Sequence, residues 1–449
     1  MFPGPLECRG CGPAVCYDAA MTNDAPHMSA RDAEGAPDTA APEAAPKSVT
    51  PPDVVSASVI MAMSGGVDSS VAALLLAEEG YAVTGATMKL FGNEALPEGT
   101  ESTCCSLDDV EDAKAVCRRL GVPHYTFNFG DLFGQQVMNR FCNAYLCGST
   151  PNPCIDCNRY LKFDALQRRR AELGLDYVAT GHYARRRFDE ATGRWQLLRG
   201  VDPAKDQSYV LYHLTQDALA HMLFPLGELT KSQVRKLARE NGFVNAEKPE
   251  SQDICFVPDG DYVAFIERRV AGRNAGGIDG APSDWFCSGS NCAENAPSSS
   301  FSSDAAAAFQ PGPIVDREGR LIGQHRGLIH YTIGQRKGIG VAAPEPLYVY
   351  AKNTAENQLV VGTASEVLVR GVKARDVNLI ATAELPEPTP VQVKTHYRQT
   401  PVEAVAQQTG PDELSITFAA SQRAAAPGQA VVLYQDDLVV GGGTIAAYF

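Results

Sequence analysis

Nothing in this sequence is apolar for long enough to cross a bilayer. The longest apolar run, around Val71 to Leu76, falls far short of the roughly 20 residues a membrane span needs. The first 55 residues hold no apolar segment behind a basic start, so no secretory signal is expected and a cytoplasmic location is the default. An excess of basic charge is missing too: the formal net charge is −14. Taken whole, that argues against a nucleic-acid partner, but the distribution weakens the argument. Residues 1–55 hold eight acids against three bases, and residues 271–311 hold four against one. These two poorly patterned stretches carry eight of the fourteen excess negative charges. The remainder has basic clusters at Arg168–Arg170, Arg185–Arg187 and Arg336–Lys337, so an anionic partner stays open. Internal repeats and a Walker-type GxxxxGK[ST] loop are also absent.

What is present begins with size. A chain of 449 residues is too long for one ordinary domain, so two or three are expected. Its 44% apolar and 20% charged content suits a soluble globular protein. Thirteen cysteines form a large, odd set. Without a secretion signal they are expected to be thiols, ligands or catalytic groups rather than a disulfide framework. Cys8, Cys11, Cys16, Cys287 and Cys292 lie in unpatterned sequence and are given no chemistry.

Residues 1–55, rich in Ala, Pro, Asp and Gly, read as a disordered extension. From Ala57 the pattern changes. ASVIMAM is a short strand, SGGVDSS a glycine turn and VAALLLAEEG a helix. Strands follow at 81–90, 123–129 and 176–184, with helices at 108–121, 131–147, 158–174 and 230–242, the last clear helix. This alternation predicts a doubly wound parallel α/β domain over 56–257. A small central domain is expected over 258–343, interrupted by a low-complexity insertion at 271–311. Short alternating segments such as LYVYAK, PVQVKTHYR and AVVLYQDDLVV predict a C-terminal β-barrel over 344–449.

SGGVDSS, Ser64–Ser70, carries the first chemistry. Two glycines let backbone N–H groups turn toward an anion, serines add donors, and the following helix offers its positive end. Asp68 suits Mg²⁺ bridging phosphates better than direct phosphate contact. The stretch resembles the PP-loop of ATP pyrophosphatases, which cleave ATP between its α and β phosphates and use AMP to activate a carbonyl oxygen. That specifies adenylation but not the acceptor. ATGHY (179–183) follows a strand at the sheet edge where ligands collect, and Gly181 permits close backbone approach.

The acceptor turns on Cys154 and Cys157 of TPNPCIDCNRYLKF, a spacing that zinc, redox and sulfur-handling sites all accept. A structural zinc would want a second close pair; Cys255 in SQDICFV has none, and Cys104-Cys105 are adjacent. Cys157, just ahead of a helix, is placed to have its thiolate favoured by the dipole. A PP-loop with three such cysteines resembles the tRNA-specific 2-thiouridylase (MnmA) family over nearly all of 57–449. The match is carried by SGGVDSS, TPNPCIDCNRYLKF, ATGHYARR, KDQSYVLY, LGELTKSQVRK, SQDICFV, HYTIGQRKGIG, THYRQTP and PGQAVVLY.

The resemblance implies ATP at Ala62, Met63, Ser64, Gly65, Gly66, Val67, Asp68 and Ser69, with Met88 and Gly181 nearby. It implies a flipped-out tRNA wobble uridine adenylated on its C2 oxygen, with sulfur carried as a persulfide on Cys255 and Cys157 as the partner nucleophile. A persulfide donor, a cysteine desulfurase or a relay protein, is implied as partner, and no membrane. Asn152, Pro153, Cys154, His182, Lys205, Asp206, Gln207, Tyr397, Arg398 and Gln429 match positions near the RNA. Some members carry Asp where this chain has Cys154, which opens an alternative: Cys154, Cys157 and Cys255 holding a 4Fe-4S cluster whose fourth iron binds sulfide. The persulfide route is preferred. A small-metabolite synthetase of the PP-loop class is the rival reading, and it would need neither Cys157 nor Cys255.

Overall fold

The computed structural model describes residues 57–91, 107–249, 254–274 and 307–449. The N-terminal extension, Cys104, Cys105, Cys287, Cys292 and most of the 271–311 insertion lie outside the described residues.

The first strand, β1 (Ser58–Ala62), leads through the glycine turn into α1 (Val67–Glu78), then β2 (Ala82–Lys89), α2 (Leu107–Leu120) and β3 (His124–Asn128). Helices α3 (Gly130–Phe133) and α4 (Arg140–Leu146) are joined by a wide π-type turn at Gly134–Asn139. A second such turn, Cys157–Ala165, joins α5 (Pro153–Asp156) to α6 (Leu166–Glu172). After β4 (Tyr177–Ala179) come a hairpin of β5 (Ala184–Asp189) and β6 (Arg194–Arg199), α7 (Gln216–Ala220), β7 (Met222–Leu223) and α8 (Lys231–Glu240). Strands β1, β2, β3, β4 and β7 pair in parallel in the order β3-β2-β1-β4-β7. Alternate residues of β1 feed two cores: Ile60 and Ala62 join one apolar cluster, Val59 and Met61 the other. A strand covered on both faces reads as an unbroken apolar run, as β1 does. Chain order reverses between β1 and β4, so the loops after these two strands form the crevice at the topological switch point.

Helix α9 (Tyr262–Asn274) comes next, although no helix was expected beyond 242. Its buried Phe265 and Ile266 pack into the first cluster, with Phe265 5.0 Å from Phe256 and 6.2 Å from Phe141. Tertiary packing, rather than sequence periodicity, fixes this helix.

Strands β8 (Gly312–Val315), β9 (Leu321–His325), β10 (Tyr348–Asn353) and β11 (Gln358–Gly362) form one four-stranded sheet. The boundary expected at 344 is therefore corrected: β10 and β11 belong with β8 and β9, and the last domain starts beyond Gly362. It consists of β12 (Leu368–Leu379), β13 (Thr389–Lys394), β14 (Val402–Gly410), β15 (Glu413–Arg423), β16 (Ala430–Gln435) and β17 (Leu438–Tyr448). Pairing of β12 with both β15 and β17 closes these six into a barrel, which leaves no open edge. The β5–β6 hairpin joins the same sheet through Leu198 and Leu438, so a segment of the nucleotide domain extends the barrel wall.

Candidate active site

The switch-point crevice is built by close backbone approach. Gly65 has φ +72°, and a Cβ there would lie 2.4 Å from the Asp109 carbonyl oxygen, so glycine is required twice over. Gly181 faces the same loop from β4; its Cβ would lie 2.9 Å from Ser69 N and 3.0 Å from the Asp68 carbonyl carbon. Ala62, Met63 and Met88 are buried beneath, and Val67 anchors the start of α1 in the core. Gly66 caps α1 without a side chain, leaving the helix end to an outside acceptor. The Ser69 and Ser70 hydroxyls each donate to the Gly66 carbonyl at 3.0 Å, and Ser64 N donates to Ser69 Oγ at 3.2 Å.

Three residues complete this crevice that sequence reasoning missed. Lys231 donates to both carboxylate oxygens of Asp68, at 2.7 and 2.8 Å, and the Tyr183 hydroxyl donates to Oδ1 at 2.8 Å. Asn245 donates to the Gly65 carbonyl at 2.8 Å and to Ser70 Oγ at 2.9 Å, bracing the loop from behind. A signal for Lys231 was legible. Thr230 and Gln233 form a capping box that places Lys231 first in α8, where the helix dipole disfavours a cation. A lysine there needs an anion, and Asp68 is that anion. Together with an incoming triphosphate the crevice offers one carboxylate, one ammonium and the loop N–H groups.

At the cysteine end the structure changes one expectation. The helix begins at Pro153, not at Asn158, so Cys154 and Cys157 lie within it. Asn152 is the N-cap and accepts from Cys154 N at 3.2 Å; buried Pro153 is the first helical residue. Cys154 therefore sits nearer the positive helix end than Cys157 does. Cys154 is exposed, whereas Cys157 and Cys255 are half-buried and pack against the same apolar cluster. Phe256 fixes Cys255: it is 2% exposed and meets Phe133, Phe141 and Phe265 at 5.7, 5.3 and 5.0 Å. Wide π-type turns recur at functional positions, and here one starts at Cys157, where Leu166 N bonds back to the Leu161 carbonyl.

The barrel holds this helix from outside. Arg159 forms a two-pronged ion pair with Asp376 of β12, one prong at 3.0 Å. Arg140 and Arg159 flank the Tyr160 ring at 5.1 and 5.4 Å. Between the two cysteines, Asp156 turns inward toward Arg140, 3.5 Å away; burial pushes its carboxyl up to about 6 against the lowering pull of Arg140 and Arg159. Gln429 donates to the carbonyls of Thr150 and Pro151 at 2.8 and 3.2 Å, so it grips the loop that opens the cysteine helix.

The remaining residues assigned to RNA by resemblance fall into two groups. His182 is 8% exposed, bonded through Nδ1 to Thr180 at 2.8 Å, and burial holds its pKa well below the usual value. Asp206 is also buried and accepts from Ser208 N at 3.0 Å, while Gln207 Oε1 accepts from Tyr183 N at 2.9 Å. Lys205 and Tyr397 are half-buried and Arg398 is exposed. Gln399 closes the turn that carries these last two, accepting from Thr395 N at 2.6 Å. Among the described residues no group of three or more His, Cys, Asp or Glu side chains is placed to hold a metal ion. No described helix is long and apolar enough to cross a membrane.

Fold and crevice together define a doubly wound α/β domain with a glycine-loop crevice suited to an anion at its switch point, and an appended β-barrel. Family models match in the same order: a tRNA methyl transferase HUP domain at 57–259, a tRNA methyl transferase PRC-barrel domain at 304–363 and an aminomethyltransferase β-barrel domain at 369–445. The chain is 46% identical to a tRNA-specific 2-thiouridylase MnmA of Carboxydothermus hydrogenoformans over 86% of its own length and 97% of that protein. It is 47% identical to the MnmA of Heliobacterium modesticaldum over 86% of this chain and 92% of that one, and 41% identical to that of Clostridioides difficile over 86% and 97%. The chain belongs to the tRNA-specific 2-thiouridylase (MnmA) family.

Proposed function

We propose that this protein is an ATP-dependent tRNA-uridine 2-sulfurtransferase acting on the wobble uridine. The observation that carries the reading is the joining of a PP-loop crevice to two cysteines that share one apolar cluster, Cys157 and Cys255. A small-metabolite synthetase has no use for that pair. The uridine C2 oxygen attacks the α-phosphate of ATP and pyrophosphate leaves, with Lys231 and the loop N–H groups supporting the departing charge. Mg²⁺ carried in by the nucleotide would be held by the Asp68 carboxylate, whose oxygens Lys231 and Tyr183 otherwise bond, and would supply neutralising charge to the phosphates.

The outer sulfur of a Cys255 persulfide then attacks C2 and AMP leaves, so that C2 is joined through two sulfurs to Cys255. The Cys157 thiolate attacks the Cys255 sulfur; the sulfur–sulfur bond to the base breaks, a Cys157–Cys255 disulfide forms, and 2-thiouridine is released. A thiol reductant reopens the disulfide, and a persulfide donor, a cysteine desulfurase or a relay protein, recharges Cys255. Phe256 restrains the persulfide carrier by packing on three rings, and the Arg159–Asp376 pair holds the helix carrying the attacking thiolate. Cys154, exposed at the first turn, serves as a contact for the incoming base. The test is single-turnover thiolation with Cys157→Ser and Cys255→Ser: each is expected to abolish sulfur incorporation while ATP and tRNA still bind. Full incorporation by either variant refutes the sulfur route, and unchanged wobble 2-thiouridine in cells lacking the protein refutes the function.

A further inference from the structure

Two cations lie near each other at the seam between the nucleotide domain and the barrel, and among the described residues neither side chain makes a hydrogen bond or ion pair. Lys394, the last residue of β13, is 8% exposed, yet among the described residues its ammonium makes no hydrogen bond or ion pair. Its Nζ lies 5.9 Å from the Tyr209 ring centre and 5.7 Å from that of Tyr397. Arg199, the last residue of β6, lies over the Tyr434 ring at 4.2 Å. Among the described residues its buried Nε and Nη2 have no acceptor.

The surrounding groups are tied elsewhere. The Tyr209 hydroxyl donates to the Ala430 carbonyl at 2.9 Å, and the Ser208 and Tyr434 hydroxyls face each other at 3.4 Å. Among the described residues Asp206 is the carboxylate whose charge reaches Lys394, and it is already bonded by the backbone N–H groups of Gly200 and Ser208. Burial and the nearby Arg199 charge both lower the pKa of Lys394, against the raising influence of Asp206.

A buried cation without an acceptor is costly, and two side by side repel. Asp206 stands against the two cations Arg199 and Lys394, so positive charge is in excess at this seam. That excess suits the negative charge of a phosphodiester. Lys394 also leads directly into the turn that presents Tyr397 and Arg398, and Asp206 stands beside Gln207, which bonds to Tyr183 of the ATP crevice.

We propose that Arg199 and Lys394 form a binding site for one backbone phosphodiester of the tRNA, registering the strand as its uridine enters the crevice. The site rests on the tRNA-thiolation reading. Lys394 supplies a point charge, Arg199 a second cation whose Nε and Nη2 lack an acceptor among the described residues, and Tyr397 gives an aromatic face for the adjoining nucleotide.

The experiment is a salt titration of tRNA affinity with the full chain, comparing wild type, Lys394→Met and Lys394→Arg, with melting temperatures recorded alongside. Loss of one phosphate contact is expected to lower the slope of log affinity against log salt by about 1 and to weaken binding roughly tenfold at low salt. Lys394→Arg is expected to restore the slope. The melting temperature of Lys394→Met is expected to stay level or rise, because an uncompensated buried charge is removed. A wild-type slope in Lys394→Met overturns the site, whether its melting temperature falls or not; a fall would then mean a purely structural lysine. If the wild-type protein itself fails to bind tRNA, the functional reading falls instead.

Discussion

Lys231→Met is the perturbation that most directly interrogates the nucleotide crevice. Nζ of Lys231 reaches both oxygens of Asp68, and the two side chains are 11% and 33% exposed. Two unit charges ~4 Å apart at an effective dielectric of 20 attract by about 4 kcal/mol. Desolvation and the partial exposure of Asp68 reduce the net loss on breaking the pair to about 1–2 kcal/mol of folding stability. The catalytic loss is larger in its consequences. A hydrogen bond from an ammonium to phosphate contributes about 1.5–3 kcal/mol, which corresponds to a roughly 10- to 150-fold fall in kcat/KM for ATP. Release of AMP and pyrophosphate in the presence of tRNA measures that value, and urea unfolding measures the stability term. Lys231→Arg is expected not to rescue, since a planar fork replaces a point charge where the side chain is only 11% exposed. A double-mutant cycle with Asp68→Asn is expected to show coupling, because the two residues share one contact. Wild-type kcat/KM for ATP in Lys231→Met would refute the role given to this residue.

Gly181→Ala would press a methyl to 2.9 Å from Ser69 N, against backbone that cannot rotate away. A rise of at least tenfold in KM for ATP is expected from nucleotide titrations, with about 1–3 kcal/mol lost from folding stability. Asp376→Ala removes the barrel's hold on Arg159. Because both side chains are over a third or nearly so exposed, only about 1 kcal/mol of stability is expected to go, but sulfur transfer should slow several-fold at unchanged KM for ATP. Asp156 provides a pH test. Its folded value of about 6 lies above the ordinary carboxylate value, so its contribution to stability is complete below ~4 and lost as pH rises through about 6. Wild type is expected to gain in urea midpoint relative to Asp156→Asn as pH falls from ~7 to ~5; parallel midpoints would show that this carboxyl is not buried as described.

Local sequence determined a good deal. The strand–SGGVDSS–helix unit is specified by neighbours: an apolar run for β1, glycines for the turn and small apolar residues for α1. The parallel sheet followed from alternating periodicities, and Gly181 could be read as a point of close approach before its partner was known. Family membership was equally legible, because its motifs are contiguous. What sequence left undecided depends on residues far apart in the chain. The start of the cysteine helix at Pro153 is set by the Asn152 cap and by Gln429, 278 residues away from Pro151. Helix α9 owes its place to Phe141 and Phe256 rather than to a strong apolar stripe. The assignment of β10 and β11 to the central sheet rests on pairing with β8, since alternation is the same whichever sheet a strand joins. Lys231 could be suspected from its place at a helix N-terminus, but only the fold brings it to Asp68, 163 residues earlier. Turns, caps and periodicity are short-range and can be read in order; ion pairs, orphaned cations and sheet partners are long-range, and the tertiary structure alone decides them.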